Sequence, residues 1–404
     1  MKLVHKYGGS SVATPEKITA IAGRIAQLHR EGKEMVVVCS AMGKTTNGLI
    51  ALAAQVSSHP SKREMDALLS TGEIQTVSLM AMALQEQGVD AISMTGFQSG
   101  FITNNTHSKA FIKELDLSRV EEELAGGRVV VVAGFQGITE DGNITTLGRG
   151  GSDTTAVAIA AKLGCDCEIY TDVNAVYTVD PRLYAPAKAL RCISYEEMME
   201  MASLGAGVLE TRCVELAKKY GVRLYLGQTL ETEKKGTFVM NRQELENFED
   251  MPVTGLSNKD HCAIVSFRPM EYTAENAASI FALISRNHIN LDMISQTILD
   301  GRIAFCCSCS DAQADELALS PDFFRDGLVL DIQKGYTQLS LVGVGMATHT
   351  GVAVKVFETL AALHIPYYQI TTSEISISFT IDACHKEQAV AALQEMSAAH
   401  ANVL

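Results

Sequence analysis

The 404-residue chain predicts an α/β domain with a largely parallel central sheet, followed by two small ferredoxin-like βαββαβ modules. Three observations carry that prediction. Short β-branched runs alternate with helical segments from residue 1 to about residue 228, nearly every run ends in Gly, Ser or Asp, and beyond a polar stretch one pattern of elements occurs twice.

The first strand, KLVHKY, runs from Lys6 and Tyr7 into Gly8, Gly9, Ser10 and Ser11. Thr14 and Pro15 then supply an N-cap and a first-turn proline. Apolar residues at Ile18, Ile21, Ala22, Ile25 and Leu28 mark one buried helix face, and Gly32 is placed to end it. The glycines therefore stand in a strand-to-helix turn, where backbone N–H groups can approach an anion closely. A tight turn beside a solvated lysine is the plain alternative. Further strands are expected at EMVVVCSA, DAISMTG, RVVVVAGF, CEIYTD and VRLYLG. In an open α/β sheet the ligand crevice lies at the carboxyl ends of the strands, so residues there are the candidates.

A second glycine-rich stretch, TTLGRGGSDTTAVAIAAKLG, leads from Gly148 into a helix expected to start at Ser152 or Asp153. Arg149 offers a planar fork suited to a carboxylate, although a surface arginine in a loop would look the same. A third stretch, YTDVNAVYTVDPR, ends a strand at Thr171 and Asp172 and continues to Tyr177, Asp180 and Arg182. Acidic residues at a strand end suit Mg²⁺ or a ribose, and an aromatic ring suits a purine, while Asp-Pro-Arg is also an ordinary turn.

Residues 229–252 are polar and charged and read as a linker. From Ala263 the order strand, helix, strand, strand, helix, strand is expected, and a similar order begins after Gly335. The expected division is thus 1–243, 253–334 and 335–404. The turn GVGMATHTG before the last module's first helix could receive a carboxylate on its N–H groups, and TTSEIS could present polar groups to an ammonium; both are equally ordinary strand and turn chemistry.

A net charge of −14, from 33 basic and 47 acidic residues, argues against a nucleic-acid binder with a basic surface. No segment of ~20 apolar residues is apparent, which leads to the expectation of a cytoplasmic protein without a membrane partner. The ten cysteines lie mostly in apolar runs and suit buried free thiols, and Cys306, Cys307 and Cys309 on one strand are not expected to hold a metal. The lysine precedes the glycines, so there is no Walker A motif; kinase H-R-D and D-F-G signatures and a G-x-S-x-G elbow are also missing. What remains is phosphate-binding hardware without a protein nucleophile, which suits phosphoryl transfer to a substrate that is itself nucleophilic. A carboxylate acceptor would already be ionised at neutral pH and would need no general base.

The ordered set KYGGSS, VVVCSAMGKTTN, STGE, GFQG, LGRGGSDTTA and TDVNAVYTVDPR, followed by the tandem tail, closely resembles the aspartate kinases of the amino-acid kinase family over essentially the whole chain. The resemblance implies ATP- and Mg²⁺-dependent phosphorylation of the side-chain carboxylate of L-aspartate, the first step towards lysine, threonine and methionine. It implies C-terminal ACT modules that bind lysine, threonine or diaminopimelate as effector and assemble a homodimer or larger oligomer. It further implies that Lys6, Gly8, Gly9 and Ser10 hold the ATP phosphates with Ser40 nearby, and that Thr171, Asp172, Tyr177, Asp180 and Arg182 line the nucleotide site. Thr46, Glu73, Arg149, Gly151, Ser152 and Asp153 would form the aspartate pocket, with Arg149 on the α-carboxylate, Glu73 near the ammonium and Asp153 orienting Lys6. Met346, Thr348, Gly351, Val352, Ser373 and Glu374 would contact the effector.

Two departures stand out. The family usually reads GAKVLHPR where this chain reads GAGVLETR, so Gly207 takes the place of a phosphate-binding lysine. Either another cation substitutes, with Arg212 and Lys218 as candidates, or turnover is slow. Asn174 and Ala175 stand where Asp and Gly are common. The alternatives are a catalytically weak amino-acid-binding regulatory subunit and another kinase of the same family.

Overall fold

A computed structural model describes residues 1–230, 235–245, 252–286, 289–319, 329–347, 349 and 351–397. The first unit runs β1 (Lys2–Tyr7), α1 (Pro15–Arg30), β2 (Glu34–Cys39), α2 (Thr45–Val56), α3 (Lys62–Glu86), β3 (Ala91–Met94), β4 (Phe101–Thr103), β5 (Ile112–Leu115), α4 (Ser118–Ala125) and β6 (Val129–Ala133). It continues with β7 (Gln136–Thr139), β8 (Ile144–Thr146), α5 (Gly151–Leu163), β9 (Cys167–Thr171), β10 (Cys192–Ser194), α6 (Tyr195–Ser203), α7 (Thr211–Tyr220), β11 (Leu224–Gln228) and β12 (Thr237–Met240).

Its main sheet has the order β10-β12-β11-β9-β1-β2-β6-β3, parallel throughout except where β11 meets β12. Strands buried on both faces need continuous apolar runs, and β6, VVVVA, is buried along its whole length. One core lies against α5, α6 and α7 and the other against α1 and α3, so the sheet is covered on both sides. The local signals of the first helix act as expected: Thr14 Oγ1 accepts from Lys17 N at 3.4 Å, and Gly32 takes φ +85° just past the end.

Three features depart from expectation. A separate sheet, β5-β4-β7-β8, occupies residues 101–146; its strands of three or four residues are too short to show a period. The expected linker contains β12, which joins the main sheet between β10 and β11, antiparallel to the preceding β11 and parallel to the more distant β10. Helix α3 is long and apolar enough to cross a membrane by length and composition, contrary to the expectation of no such segment. Here it packs on α1 and β3 and buries Asp66, Ser70, Glu73 and Thr76.

The tail comprises β13 (Gly255–Phe267), β14 (Met270–Glu271), α8 (Ala274–Arg286), β15 (Met293–Leu299), β16 (Arg302–Ser310), α9 (Asp311–Leu319), β17 (Val329–Val342), α10 (Val352–Ala362), β18 (Tyr367–Thr372), β19 (Ser376–Asp382) and α11 (Lys386–Leu393). Its sheet order is β14-β16-β13-β17-β19-β18, with β15 on β16. The two long strands are shared. The second half of β13 pairs with β16 and the first half of β17, whereas residues 255–259 of β13 pair with Val342 back to Gln338 of β17. His261 at φ +57° and Gly335 at φ +93° interrupt the two strands near the paired Cys262 and Tyr336. The fourth strand beside β17, β19 and β18 is thus the start of β13, from the first expected module, so β13 and β17 pair across residues 334 and 335. Strand pairing follows apolar faces, with Leu256, Leu339 and Leu341 in one core.

Candidate functional site

Lys6 and Asp153 join the two glycine-rich segments. Lys6 projects from β1 and Asp153 from the first turn of α5, and Nζ stands 2.6 Å from Oδ1, with side chains only 10% and 12% exposed. The oxygen is off the line of a good hydrogen bond, which leaves the ammonium's protons available to a further anion. Ahead of Lys6, Gly8 donates its N–H to Tyr170 O at 3.0 Å and Gly9 O accepts from Gly43 N at 2.9 Å. A Cβ on Gly9 would stand 2.8 Å from Ala41 O, so only glycine allows the turn to lie between the ends of β9 and β2. Ser40 N donates to Tyr7 O at 3.1 Å beside it, while Ser10 is exposed.

Helix α5 begins at Gly151, one residue earlier than expected, after Gly150 at φ +61°. Ser152 is buried against Gly134, where a Cβ would come within 2.7 Å of Ser152 Oγ. Phe135 in the same turn holds φ +73°, a strained conformation for an aromatic residue, with its N–H on Thr155 Oγ1 at 3.0 Å.

Glu73 lies buried on α3. Its Oε1 accepts the Ala41 N–H at 3.1 Å, whereas Oε2 is buried without a hydrogen-bond partner. Burial pushes its carboxyl up to about 7. Thr46 is half-buried in the first turn of α2, which packs on α3. Arg149 is exposed and makes no hydrogen bond or ion pair among the described residues. Asp66, which no sequence signal singled out, fixes the loops around it: its fully buried carboxylate accepts Ser108 N at 2.9 Å and Thr146 Oγ1 at 2.6 Å and lies 2.9 Å from His107 Nδ1. Ser108 O in turn would sit 3.1 Å from a Cβ on Gly148, next to Arg149.

The third stretch lines a cavity of about 430 Å³ with Asp172, Tyr177, Asp180 and Arg182. Gly207, Val208, Leu256, Ser257 and Asn258 complete the wall. Sequence inspection assigns the last three residues to the tail, and the Leu256 N–H, donated to Thr178 O at 2.7 Å, helps bring them here. Asp172 also lines a neighbouring cavity of about 230 Å³ with Ser10, Lys17 and Thr171. Thr171 Oγ1 donates to Asp172 Oδ1 at 3.0 Å. Arg182 grips Asp180 at 2.6 Å, and its hydrogen bond holds that carboxyl below the usual range, so this arginine is engaged with a neighbour.

A further cavity of about 240 Å³, lined by Gly150, Asp153, Gly207 and Glu210, adjoins the large one at Gly207. Neither cation expected to replace the missing lysine is free. Arg212 donates to Leu147 O at 2.9 Å and lies over the Phe111 ring at 4.9 Å, and Lys218 pairs with Glu196 at 2.8 Å. Lys17, not singled out by sequence, donates to Ser10 O at 2.9 Å.

Beneath the turn, on the other face of the sheet, a buried network supports both strand ends. Tyr7 and Tyr170 stack with centroids 5.3 Å apart, Tyr170 OH donates to Glu168 Oε2 at 2.5 Å, Arg24 reaches Tyr170 OH at 2.8 Å, and His5 Nε2 lies 3.1 Å from Glu168 Oε2. Burial raises both phenols, so they stay neutral donors.

In the tail, Met346 stands in the turn Val344–Ala347 and Val352 opens α10 behind Gly351 at φ +96°. Thr348 lies outside the described residues. Gly343 N donates to Ile375 O at 2.9 Å, which draws the 373–376 turn alongside. Ser373 Oγ is 2.8 Å from Ser376 Oγ, and Glu374 is exposed.

Comparison with known proteins gives the chain's family. The model of the amino acid kinase family matches residues 1–228, and an ACT domain model matches residues 339–396. The aspartokinase of Bacillus sp. (strain MGA3) is 42% identical over 97% of this chain and 96% of its own length, and that of Geobacillus stearothermophilus is 43% identical over 97% and 96%. The crystal structure of aspartate kinase from Synechocystis, 37% identical, superposes with a TM-score of 0.56 over 98% of this chain and 69% of that one. E. coli aspartokinase III in complex with aspartate and ADP has the same fold, with a TM-score of 0.80 at 23% identity and coverage of 98% and 99%. By its fold and its full-length similarity, the chain belongs to the aspartokinases of the amino acid kinase family.

Proposed function

We propose that the chain transfers the terminal phosphoryl group of MgATP to the side-chain carboxylate of L-aspartate, with Lys6 and the Gly8–Gly9 turn receiving the phosphates. The observation that carries this reading is the Lys6–Asp153 pair, which brings both glycine-rich segments to one edge of the sheet. A carboxylate oxygen of aspartate attacks the γ-phosphorus, the bond to the ADP oxygen breaks, and an acyl phosphate forms with no proton transferred at neutral pH. The chain's contribution is placement and charge. Lys6 sits where the transferred group passes, Asp153 keeps it oriented, and Ser10 and Ser40 border the path. Glu73 Oε2 offers a buried anion to the substrate ammonium, and Arg149, without a hydrogen bond or ion pair among the described residues, takes the α-carboxylate. Thr46, Gly151 and Ser152 close the pocket.

The cavity at Asp172, Tyr177, Asp180 and Arg182 takes the nucleoside. Mg²⁺ arrives with the triphosphate. Among the described residues no group of three or more His, Cys, Asp or Glu could hold it alone, which suits an ion bound mainly by phosphate and water. Lysine, threonine or diaminopimelate binds at Met346, Gly351, Val352, Ser373 and Glu374, and the modules pair across a homodimer in the cytoplasm.

An ADP-release assay with aspartate, glutamate and no acceptor tests the reading. ADP formed only with aspartate supports it, and ADP formed equally with glutamate overturns it. Gly207 favours a second reading, a catalytically weak amino-acid-binding subunit; that reading gains if no ADP forms while lysine or threonine still raises the melting temperature.

A further inference from the structure

Seven positions ahead of Glu73 on α3, two turns and ~10 Å along the helix axis, stands a buried carboxylate that the proposed chemistry does not use. Asp66 is fully buried, and a carboxylate so placed needs every oxygen satisfied. Its Oδ2 accepts the Ser108 N–H at 2.9 Å and lies 2.9 Å from His107 Nδ1, and its Oδ1 accepts the Thr146 hydroxyl at 2.6 Å. Both acceptor bonds lead to Arg149. Thr146 ends β8, three residues before the arginine. Ser108 holds φ +70°, a costly conformation for a residue with a side chain, and its carbonyl oxygen would stand 3.1 Å from a Cβ on Gly148, itself at φ +83°. A second tie joins the same strand pair to α3: Gln136, opposite Thr146 in the β7–β8 ladder, donates Nε2 to Ser70 O at 2.9 Å. From the other side Arg212 donates to Leu147 O at 2.9 Å, and Glu210 covers Gly150 so closely that a Cβ there would clash with its side chain. The backbone of residues 147–150 is thus held from two sides, while the Arg149 side chain makes no hydrogen bond or ion pair among the described residues.

We propose that Asp66 is a positioning residue that sets where Arg149 stands relative to Glu73, and that it thereby selects acceptors carrying an α-carboxylate beside the ammonium. The proposal rests on reading Arg149 and Glu73 as the holders of those two groups. Ammonium and α-carboxylate share one carbon of the substrate, so their separation is fixed and the two holders must be fixed as well. One helix does both: α3 carries Glu73 itself and, through Asp66, grips the turn that backs Gly148. Arginine binds a carboxylate through a planar fork, so a loop that drifts loses orientation as well as distance. Asp66 touches no substrate; it acts through Ser108 and Thr146.

The test uses the purified full chain with Asp66→Asn, Thr146→Val, Arg149→Ala and the double variant Asp66→Asn/Arg149→Ala. ADP release is followed with L-aspartate and with its α-amide, which keeps the ammonium and the side-chain carboxylate but not the α-carboxylate. Asp66→Asn raises the KM for L-aspartate about tenfold and Thr146→Val about threefold, with kcat within about twofold of wild type and kcat/KM for the α-amide unchanged. Arg149→Ala raises the aspartate KM at least about tenfold, and adding Asp66→Asn to it has no further effect, because the two residues act as one unit. Should Asp66→Asn not fold, Thr146→Val carries the same comparison. Folded variants with the wild-type KM overturn the proposal, and so does an equal loss on aspartate and its α-amide, which a merely structural role would give. Arg149→Ala with an unchanged KM overturns the reading of Arg149 and the proposal with it, whereas a raised KM there beside a silent Asp66→Asn overturns the proposal alone. If the wild type forms no ADP, the kinase reading fails separately, and the same variants are compared by calorimetry for their affinity towards aspartate and the α-amide: a loss confined to aspartate supports the positioning role, and an unchanged or equal affinity loss overturns it.

Discussion

Glu73 Oε1 accepts the Ala41 backbone N–H while Oε2 lies buried without a partner. Half of this carboxyl is thus used to hold the β2–α2 loop, and the other half is the atom proposed to meet the substrate ammonium. Burial raises its pKa from 4.5 to about 7, so the folded, ligand-free protein binds a proton here that the unfolded chain has released. Stability from this group is present below about pH 4.5 and is lost as pH rises through about 7, by ~3 kcal/mol at ~1.4 kcal/mol per pKa unit. Glu73→Gln flattens urea-denaturation stability between pH 5 and pH 8, and it raises the KM for aspartate at least tenfold. An unchanged pH slope would remove Glu73 as its source.

An ammonium placed on Oε2 favours the charged carboxylate, so aspartate binding expels a proton from Glu73 near neutral pH. Calorimetric titration with aspartate at pH 6.5 in buffers of different ionisation enthalpy gives a release of up to one proton per site in the wild type and close to none in Glu73→Gln. Equal release from both would place the ammonium elsewhere.

Lys6→Met leaves Asp153 buried without its cation, and breaking one side of such a pair costs ~3–5 kcal/mol. Lys6→Met/Asp153→Asn removes both charges and recovers most of that stability by thermal denaturation. Turnover stays at least ~100-fold below wild type in both variants, because the charge facing the phosphates is gone. A double variant that recovered activity along with stability would make the pair structural only.

Gly9→Ala tests the turn itself. Its Cβ would meet Ala41 O, a backbone atom, at 2.8 Å, so the turn must shift by a few tenths of an ångström. Overpacking of this kind costs ~1–3 kcal/mol, and a displacement approaching 1 Å can cost ~10²-fold in rate. The expected variant folds, melts a few degrees lower, and loses turnover far beyond its loss of stability.

These residues are legible in sequence to the extent that their signals are local. Thr14, Gly32 and the apolar strands β1, β2, β6 and β9 declare themselves by capping, left-handed backbone and continuous burial, and the strand ends then point to Lys6, Gly8 and Asp172. What stays hidden depends on pairing over long separations. Gly255 opposite Val342 moves a strand from one module to the other and carries Asn258 into the cavity wall. Asp66 and Glu197 look like ordinary helix carboxylates until Thr146 and Val344 are seen to lie against them. The stacked Tyr7 and Tyr170 likewise belong to neighbouring strands, 163 positions apart, and nothing local pairs them.

Gly207 is where the proposed phosphate site lacks a cation. It lines both the cavity of about 430 Å³ proposed for the nucleoside and the one beside Asp153, and Arg212 and Lys218 are engaged elsewhere. Space is available, since a Cβ at this position would have Gly205 O as its nearest neighbour, at 3.7 Å. The obstacle is conformational: at φ +61° a non-glycine residue costs ~1–2 kcal/mol. A single donor aimed at developing charge is worth ~2.7–4 kcal/mol of transition-state stabilisation, whereas the backbone cost falls on stability. Gly207→Lys therefore melts a few degrees lower yet turns over about tenfold faster at saturating MgATP and aspartate, with the aspartate KM unchanged. A kcat that stays level in a folded Gly207→Lys variant would mean that the charge is already supplied, and Lys17→Met, next to the Ser10 carbonyl, should then lose the same factor.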